Sequence, residues 1–105
     1  RGAPNLSDEQ LWVSTHSHVA QERERTAWLV AHLAEVFRRD LALKRGYPSL
    51  FKYARQELKL SDAAAWERVS AARLALQLPE TIERLANGEL TLAAASELWK
   101  TLRDV

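Results

Sequence analysis

The chain contains no cysteine and no methionine, and it has only three glycines and three prolines in 105 residues. Without cysteine there is no disulfide framework and no thiolate chemistry, whereas small secreted domains commonly depend on disulfide bonds. The reducing cytoplasm is therefore the expected location. The scarcity of glycine and proline, together with 47% hydrophobic and 28% charged residues, is typical of a folded domain rather than a disordered one.

Long apolar runs are also missing. No stretch of about 18 apolar residues exists to cross a bilayer, and the start lacks the charged and apolar regions of a signal peptide. We therefore expect no membrane association. The opening Arg1-Gly2-Ala3-Pro4 resembles a tag remnant or a trimmed boundary. Residues 1–6 are accordingly predicted to be a disordered tag or linker remnant, and residues 7–105 a single helical domain.

Strand patterns are absent, because apolar residues recur at intervals of three and four rather than two. The sequence therefore predicts an all-α fold with one long N-terminal helix followed by about four shorter helices. Ser7 and Gln10 form a capping box and no breaker follows before Gly46, so the first helix is predicted from about residue 8 to about residue 45. The shorter helices are predicted at about 49–58, 61–76, 79–87 and 91–103.

Residues for catalysis or metal binding do not form recognisable motifs. His16, His18 and His32 lack the spacing of three or four residues that two ligands on one helical face need. His18 with Glu22 is better explained as an exposed ion pair. No serine lies in a nucleophile motif, and no glycine-rich loop precedes a helix. We therefore expect no enzymatic activity, no cofactor, no metal and no small-molecule substrate, and an enzyme remains only a third hypothesis.

The net charge is only +1, but basic residues are concentrated in the middle of the chain. Residues 36–60 carry 7 basic and 2 acidic groups, whereas residues 1–35 carry 3 and 5 and residues 61–105 carry 5 and 7. Such a local surplus attracts phosphate groups, although mixed charges on helices often only keep a surface hydrated. The predicted DNA-binding residues are Arg38, Arg39, Lys44, Arg45, Lys52, Arg55, Lys59, Arg68 and Arg73.

The segment 49–69 has the order short helix, turn, capped helix that is typical of a helix-turn-helix. Its second helix begins with Asp62, Ala63 and Ala64, which cannot make the contacts that direct readout of bases needs. Lys59 also occupies a turn position where glycine is common. Contact with the phosphate backbone is therefore favoured over specific reading of bases.

The four tryptophans are interpreted mainly as large core and interface anchors rather than as stacking platforms for bases. The residues predicted to be core are Phe51, Trp66, Val69 and Leu74. Trp12 is the exception, since it lies in an otherwise polar stretch where a single chain has little to cover it. Its position suggests a surface for a partner.

The predicted first helix is longer than the domain that should cover it. At about 1.5 Å per residue it would reach roughly 57 Å, whereas a compact domain of about 100 residues is only about 35 Å across. Leu11, Trp12 and Val19 would then lack partners within the chain, and they are predicted to form the interface of a homodimer. In the competing interpretation, the helix breaks near residues 14–17 and its front folds back to give a compact monomer.

Residues spread over 22–98 follow a pattern known from another group of proteins. The pattern consists of Glu22-Arg23, His32-Leu33, Glu35, Arg38-Arg39, Gly46-Tyr47, Ser49-Leu50-Phe51, Tyr53, Glu57-Leu58, Ser61, Ala64-Ala65, Arg68, Ala71-Ala72-Arg73, Pro79 and Gly88. With this spacing the chain resembles the helical region ahead of the nuclease domain in a family of bacterial HNH endonuclease-like proteins, which tend to have tyrosine in place of Trp66. From Leu78 onward it also resembles the helical segment after the helix-turn-helix of chromosome-partition proteins, although the preceding helix is about one turn longer.

The first resemblance implies a module that accompanies chemistry on DNA. The histidines and asparagine of the HNH metal site have no counterpart in this sequence, so no nuclease activity is carried over. The expected function is that of a non-catalytic, dimeric, DNA-associated helical module. The alternative is a protein interaction or dimerisation module without direct DNA contact. Whether a nuclease domain follows residue 105 is left open.

Overall fold

Every regular element that the structure describes is helical. The structure, a computed structural model, describes residues 3–105, and the predicted all-α class is confirmed over them. The helices are α1 (Asp8–Arg38), α2 (Leu41–Lys44), α3 (Leu50–Gln56), α4 (Asp62–Gln77), α5 (Thr81–Asn87) and α6 (Leu92–Arg103). The part of the predicted N-terminal remnant at residues 1–2 lies outside the described residues. Ala3–Asn5 form a 3-10 turn with no buried residue.

Side-chain caps explain where four of the helices begin. The Ser7 hydroxyl accepts a hydrogen bond from the N–H of Gln10, whose own side chain accepts one from the N–H of Ser7, which completes the predicted capping box. Equivalent single caps start α3, α4 and α6, and they are made by Ser49, Ser61 and Thr91. At the other end, Gly88 closes α5 in the left-handed region with φ 84°. The predicted starts of α1, α4 and α6 are therefore confirmed to within a residue.

The first helix ends earlier than predicted, at Arg38 rather than near residue 45. Asp40 adopts a left-handed conformation with φ 55° and ψ 31°, and α2 starts directly after it. A left-handed residue cannot continue a right-handed helix, so the chain must change direction here. The change brings Ala42 into the core. Aspartate tolerates this conformation better than most residues, but nothing in the local sequence requires it.

Helix α4 is the central helix of the fold. It packs against α1, α3, α5 and α6, and its buried residues are Ala65, Val69, Ser70, Ala71, Ala72, Leu74 and Ala75. Many of these side chains are small, which lets neighbouring helices approach closely. Helices α3 and α4 follow one another in the order of a helix-turn-helix. Only the first turn and one flank of α4, the second helix of that pair, are exposed to solvent. Its chief structural role is to hold the other helices together.

The core predictions for α4 are confirmed at two positions and wrong at one. Val69 and Leu74 are buried, with 7% and 0% exposure, but Trp66 is 40% exposed. The Trp66 ring lies on the open flank of α4, where the guanidinium of Arg103 covers it at 5.2 Å from the ring centre. Phe51 is partly buried and packs against the core.

The front of α1 extends beyond the rest of the domain. The helix has 31 residues, which corresponds to about 46 Å, and the whole molecule measures 49 × 29 × 20 Å. The first buried residue of α1 is Ala27. Because α1 runs without interruption through residues 14–17, the alternative in which the front folds back as a separate helix is wrong.

Candidate interaction surfaces

The projecting segment of α1, residues 8–25, carries large apolar side chains that remain at least 40% exposed to solvent. Leu11, Trp12 and Val19 are 42%, 66% and 40% exposed, and Val13 is exposed as well. The predicted dimer-interface residues thus all lie on this segment with their side chains accessible to solvent. At about 1.5 Å per residue, the segment extends about 27 Å.

Trp12 and Val19 lie on the face of α1 that is buried further along the helix. Trp12, Val19, Thr26 and Leu33 follow one another at intervals of seven residues, which places them on one side of an α-helix. Leu33 is 2% exposed and Thr26 is half-buried, because helices α4 and α5 pack on this side of α1. The exposed pair therefore continues the core-facing stripe of α1 beyond the elements that cover it.

Most arginines of the predicted DNA-binding set are paired with carboxylates of the same chain. The Glu35 carboxylate accepts hydrogen bonds from both Arg38 and Arg39. These two guanidinium groups lower the pKa of Glu35 to about 2, so the pairing persists across the pH range of ordinary experiments.

Two further arginines of the set are also engaged. Arg45 donates a hydrogen bond to the Glu57 carboxylate at 3.0 Å, and this hydrogen bond together with the negative charge of Glu57 raises the pKa of Arg45. Arg55 forms an ion pair with Asp62 and donates a hydrogen bond to the backbone carbonyl of Leu60 at 2.7 Å. Their positive charges are partly neutralised before any external anion arrives.

The lysines of the set are placed differently. Within residues 3–105, Lys44, Lys52 and Lys59 have no carboxylate within ion-pairing distance, and all three are exposed. Lys59 holds a left-handed conformation with φ 60° in the turn between α3 and α4, where its sequence position had suggested glycine. Among the basic residues of the middle segment, these three lysines are the ones that form no ion pair with a described residue.

Arg73 is partly buried at the edge of the core and does not lie on an exposed basic surface. Its guanidinium carbon is 4.2 Å from the ring centre of Phe37 on α1 and 4.8 Å from that of Trp99 on α6. A guanidinium within 5 Å of two aromatic ring centres gains cation–π attraction from each ring. Arg73 therefore joins three helices.

Arg68 belongs to a cluster of arginines that the sequence did not group together. A groove of about 450 Å³ opens where the projecting segment leaves the domain. Its charged lining comes from Glu22, Arg23 and Arg25 of α1 and Arg68 of α4, and its apolar lining consists of Val19, Leu85 and Leu92. We call this feature the arginine groove. None of its three arginines forms an ion pair with another described residue.

Gly88 leaves room for the side chain of Arg23, which lines this groove. A side chain at this position would come within 3.0 Å of the Arg23 guanidinium carbon, so the absence of a Cβ lets Arg23 lie across the end of α5. A positive charge is favourable there because the last carbonyl groups of a helix carry partial negative charge. Arg23 is thereby held at the mouth of the groove.

Comparisons with known proteins give no further guide to these surfaces. No protein-family model, no curated protein and no solved structure matches the chain. Within residues 3–105, no helix is both long and apolar enough to cross a membrane. The same part of the chain has no cluster of three histidine, aspartate or glutamate residues that could hold a metal ion.

Proposed function

We propose that the chain is a non-catalytic helical module that joins two copies of a DNA-acting cytoplasmic protein through the projecting segment of α1. One observation carries this proposal. The core-facing stripe of α1 continues past its covering helices as exposed Trp12 and Val19. The assignment to a DNA-acting protein rests on the resemblance of residues 22–98 to the region ahead of the nuclease domain in HNH endonuclease-like proteins.

A second copy of the chain is the partner best suited to cover the exposed apolar side chains of the projecting segment. An isolated helix of this length is only marginally stable in water, because most helical stability in proteins comes from packing of an apolar face. Residues 8–25 have little of that packing within the chain, since none of them is buried. Closed dimers with two-fold symmetry are the commonest oligomers, and in such a dimer each copy would cover the exposed stripe of the other.

Light scattering tests the proposal. At tens of micromolar, we expect a particle with twice the 11.9 kDa mass of the chain. Replacing Trp12 with serine should weaken the dimer at least tenfold, because the largest uncovered apolar side chain is lost. Trp28→Ser is the matched control, since Trp28 is 67% exposed but lies on the opposite side of α1. A wild-type particle of single-chain mass, or equal weakening by both variants, would exclude this interface.

Direct DNA contact is a second candidate function, favoured by the three lysines without ion pairs. Lys44, Lys52 and Lys59 lie in the same basic middle segment that the sequence assigned to DNA. Exposed ammonium groups attract the phosphate backbone without regard to base sequence, and each contact releases a condensed counterion. The paired arginines Arg38, Arg39, Arg45 and Arg55 would contribute less, because internal carboxylates already neutralise them.

Fluorescence anisotropy with a labelled duplex tests this candidate at about 50 mM and about 200 mM salt. Lys44→Glu combined with Lys52→Glu should lower the affinity at least tenfold and reduce the salt slope by about two, one counterion for each lost contact. The matched control is Arg84→Glu with Lys100→Glu, two exposed basic residues outside the middle segment. Absence of wild-type binding at the lower salt, or equal loss in the control, would refute contact through these lysines.

A further inference from the structure

The first turns of α1 carry acidic side chains beside an apolar one, whereas the arginine groove carries mainly basic side chains beside an apolar surface. Asp8 and Glu9 precede Trp12 by four and three residues, so both carboxylates flank the tryptophan on one face of the helix. The arginine groove has the reverse arrangement, with three arginines against the single carboxylate of Glu22 and with Val19, Leu85 and Leu92 at its apolar surface. The two surfaces are complementary in charge, and both contain an apolar centre.

Helix geometry allows these surfaces to meet in a symmetric pair. Suppose that two α1 helices run antiparallel, with the two-fold axis between Ser17 and His18. Trp12 of one copy then lies level with Arg23 of the other, because each is about five and a half residues from the axis, about 8 Å along the helix. Glu9 lies level with Thr26, within one residue of Arg25. Val19, which lines the arginine groove, lies level with His16.

We propose that the acidic start of α1, residues 8–12, docks into the arginine groove of a second copy, and that the second copy docks in the same way in return. This inference rests on the proposed dimer and specifies how its two chains meet. Trp12 packs against Val19, Leu85 and Leu92. The carboxylates of Asp8 and Glu9 neutralise the arginines at the edges of the groove. The dimer is closed and has two-fold symmetry, because each chain contributes one acidic helix start and one arginine groove and leaves neither free for a third chain.

The apolar lining favours this occupant over a phosphate backbone. Phosphodiester groups would pair with Arg23, Arg25 and Arg68 but would leave the apolar surface of the groove exposed to water. An amphipathic acidic helix satisfies the charged and the apolar part together. A tryptophan also offers the largest contact area of any side chain, and tryptophan and arginine are the residue types most enriched at the centres of protein interfaces.

Two charge-reversed chains test the docking. One carries Asp8→Lys and Glu9→Lys, and the other carries Arg23→Glu and Arg25→Glu. Each chain alone would place like charges at both contacts, so we expect at least tenfold weaker dimers by sedimentation. Mixed in equal amounts, the two chains should recover dimers, because every contact in the mixed pair joins opposite charges. Circular dichroism checks that both variants remain helical.

The controls separate this inference from the proposed function. Lys52→Glu with Lys100→Glu makes the same change in net charge as Arg23→Glu with Arg25→Glu, at two exposed residues that do not line the groove, and should leave the dimer intact. If the wild type is dimeric and Trp12→Ser dissociates it, but the mixture fails to recover dimers, the dimer stands and this docking is wrong. A monomeric wild type would overturn both. Weakened binding of a labelled duplex by Arg23→Glu and Arg25→Glu, with an unchanged dimer, would assign the groove to phosphate instead.

Discussion

Replacing Leu74 with alanine is expected to lower the free energy of unfolding by about 2 to 5 kcal/mol. Leu74 has 0% exposure in the last turn of α4, the helix against which α1, α3, α5 and α6 all pack. Its removal would leave a cavity among elements that cannot all move inward together. Such a loss is a large fraction of the roughly 5 to 15 kcal/mol that stabilise most domains.

Trp66→Ala is the comparison for this variant. Because Trp66 is 40% exposed, we expect a loss of only about 1 to 2 kcal/mol despite the greater size of the side chain. Denaturation in guanidinium chloride measures both, with all proteins at one concentration because association adds to apparent stability. A larger loss at Trp66 than at Leu74 would contradict the placement of the two residues.

Replacing Arg73 with alanine is expected to cost about 1 to 3 kcal/mol of stability, an unusually large effect for a charged residue. The guanidinium lies between the rings of Phe37 and Trp99, so its removal separates α1, α4 and α6 where they meet. Arg73→Met should recover part of the loss, because methionine restores packing between the rings without the charge.

Exposed Arg84 provides the control for Arg73. Arg84→Ala should change the unfolding free energy by less than about 0.5 kcal/mol, as most surface substitutions do. The same variants also test the original assignment of Arg73 to DNA. Arg73→Ala could instead be as stable as the wild type and bind duplex DNA more weakly. In that case Arg73 contacts DNA, and its contacts with the two rings contribute little to the free energy of unfolding.

The helix starts could be predicted because their determinants are local. Ser7, Ser61 and Thr91 each cap the helix that follows within a few residues of sequence. The start of α5 was predicted less accurately. This helix begins at Thr81, two residues after Pro79, where the sequence had predicted its start. The end of α1 was missed for a related reason. Asp40 breaks the helix through a backbone conformation that depends on how the following residues pack, and a local pattern does not report this.

The candidate sites depended on contacts between distant parts of the chain, and there the sequence was a poorer guide. Glu35 neutralises two arginines and Glu57 a third, which a count of basic residues cannot show. The arginine groove combines Arg68 with residues more than forty positions earlier in the chain. Exposure of Trp12 was predictable, because a helix longer than its domain must project whatever the details of packing.

The unbroken length of α1 would also fix a distance within the assembly. If two copies pair about an axis between Ser17 and His18, the ends of their α1 helices at Arg38 lie about 60 Å apart, since each is about twenty residues from the axis. The exposed lysines follow these ends in each chain, so they would occupy opposite extremities of a rigid spacer. One turn of DNA spans about 34 to 36 Å, so the spacer would suit contacts nearly two turns apart and would be too long for adjacent half-sites.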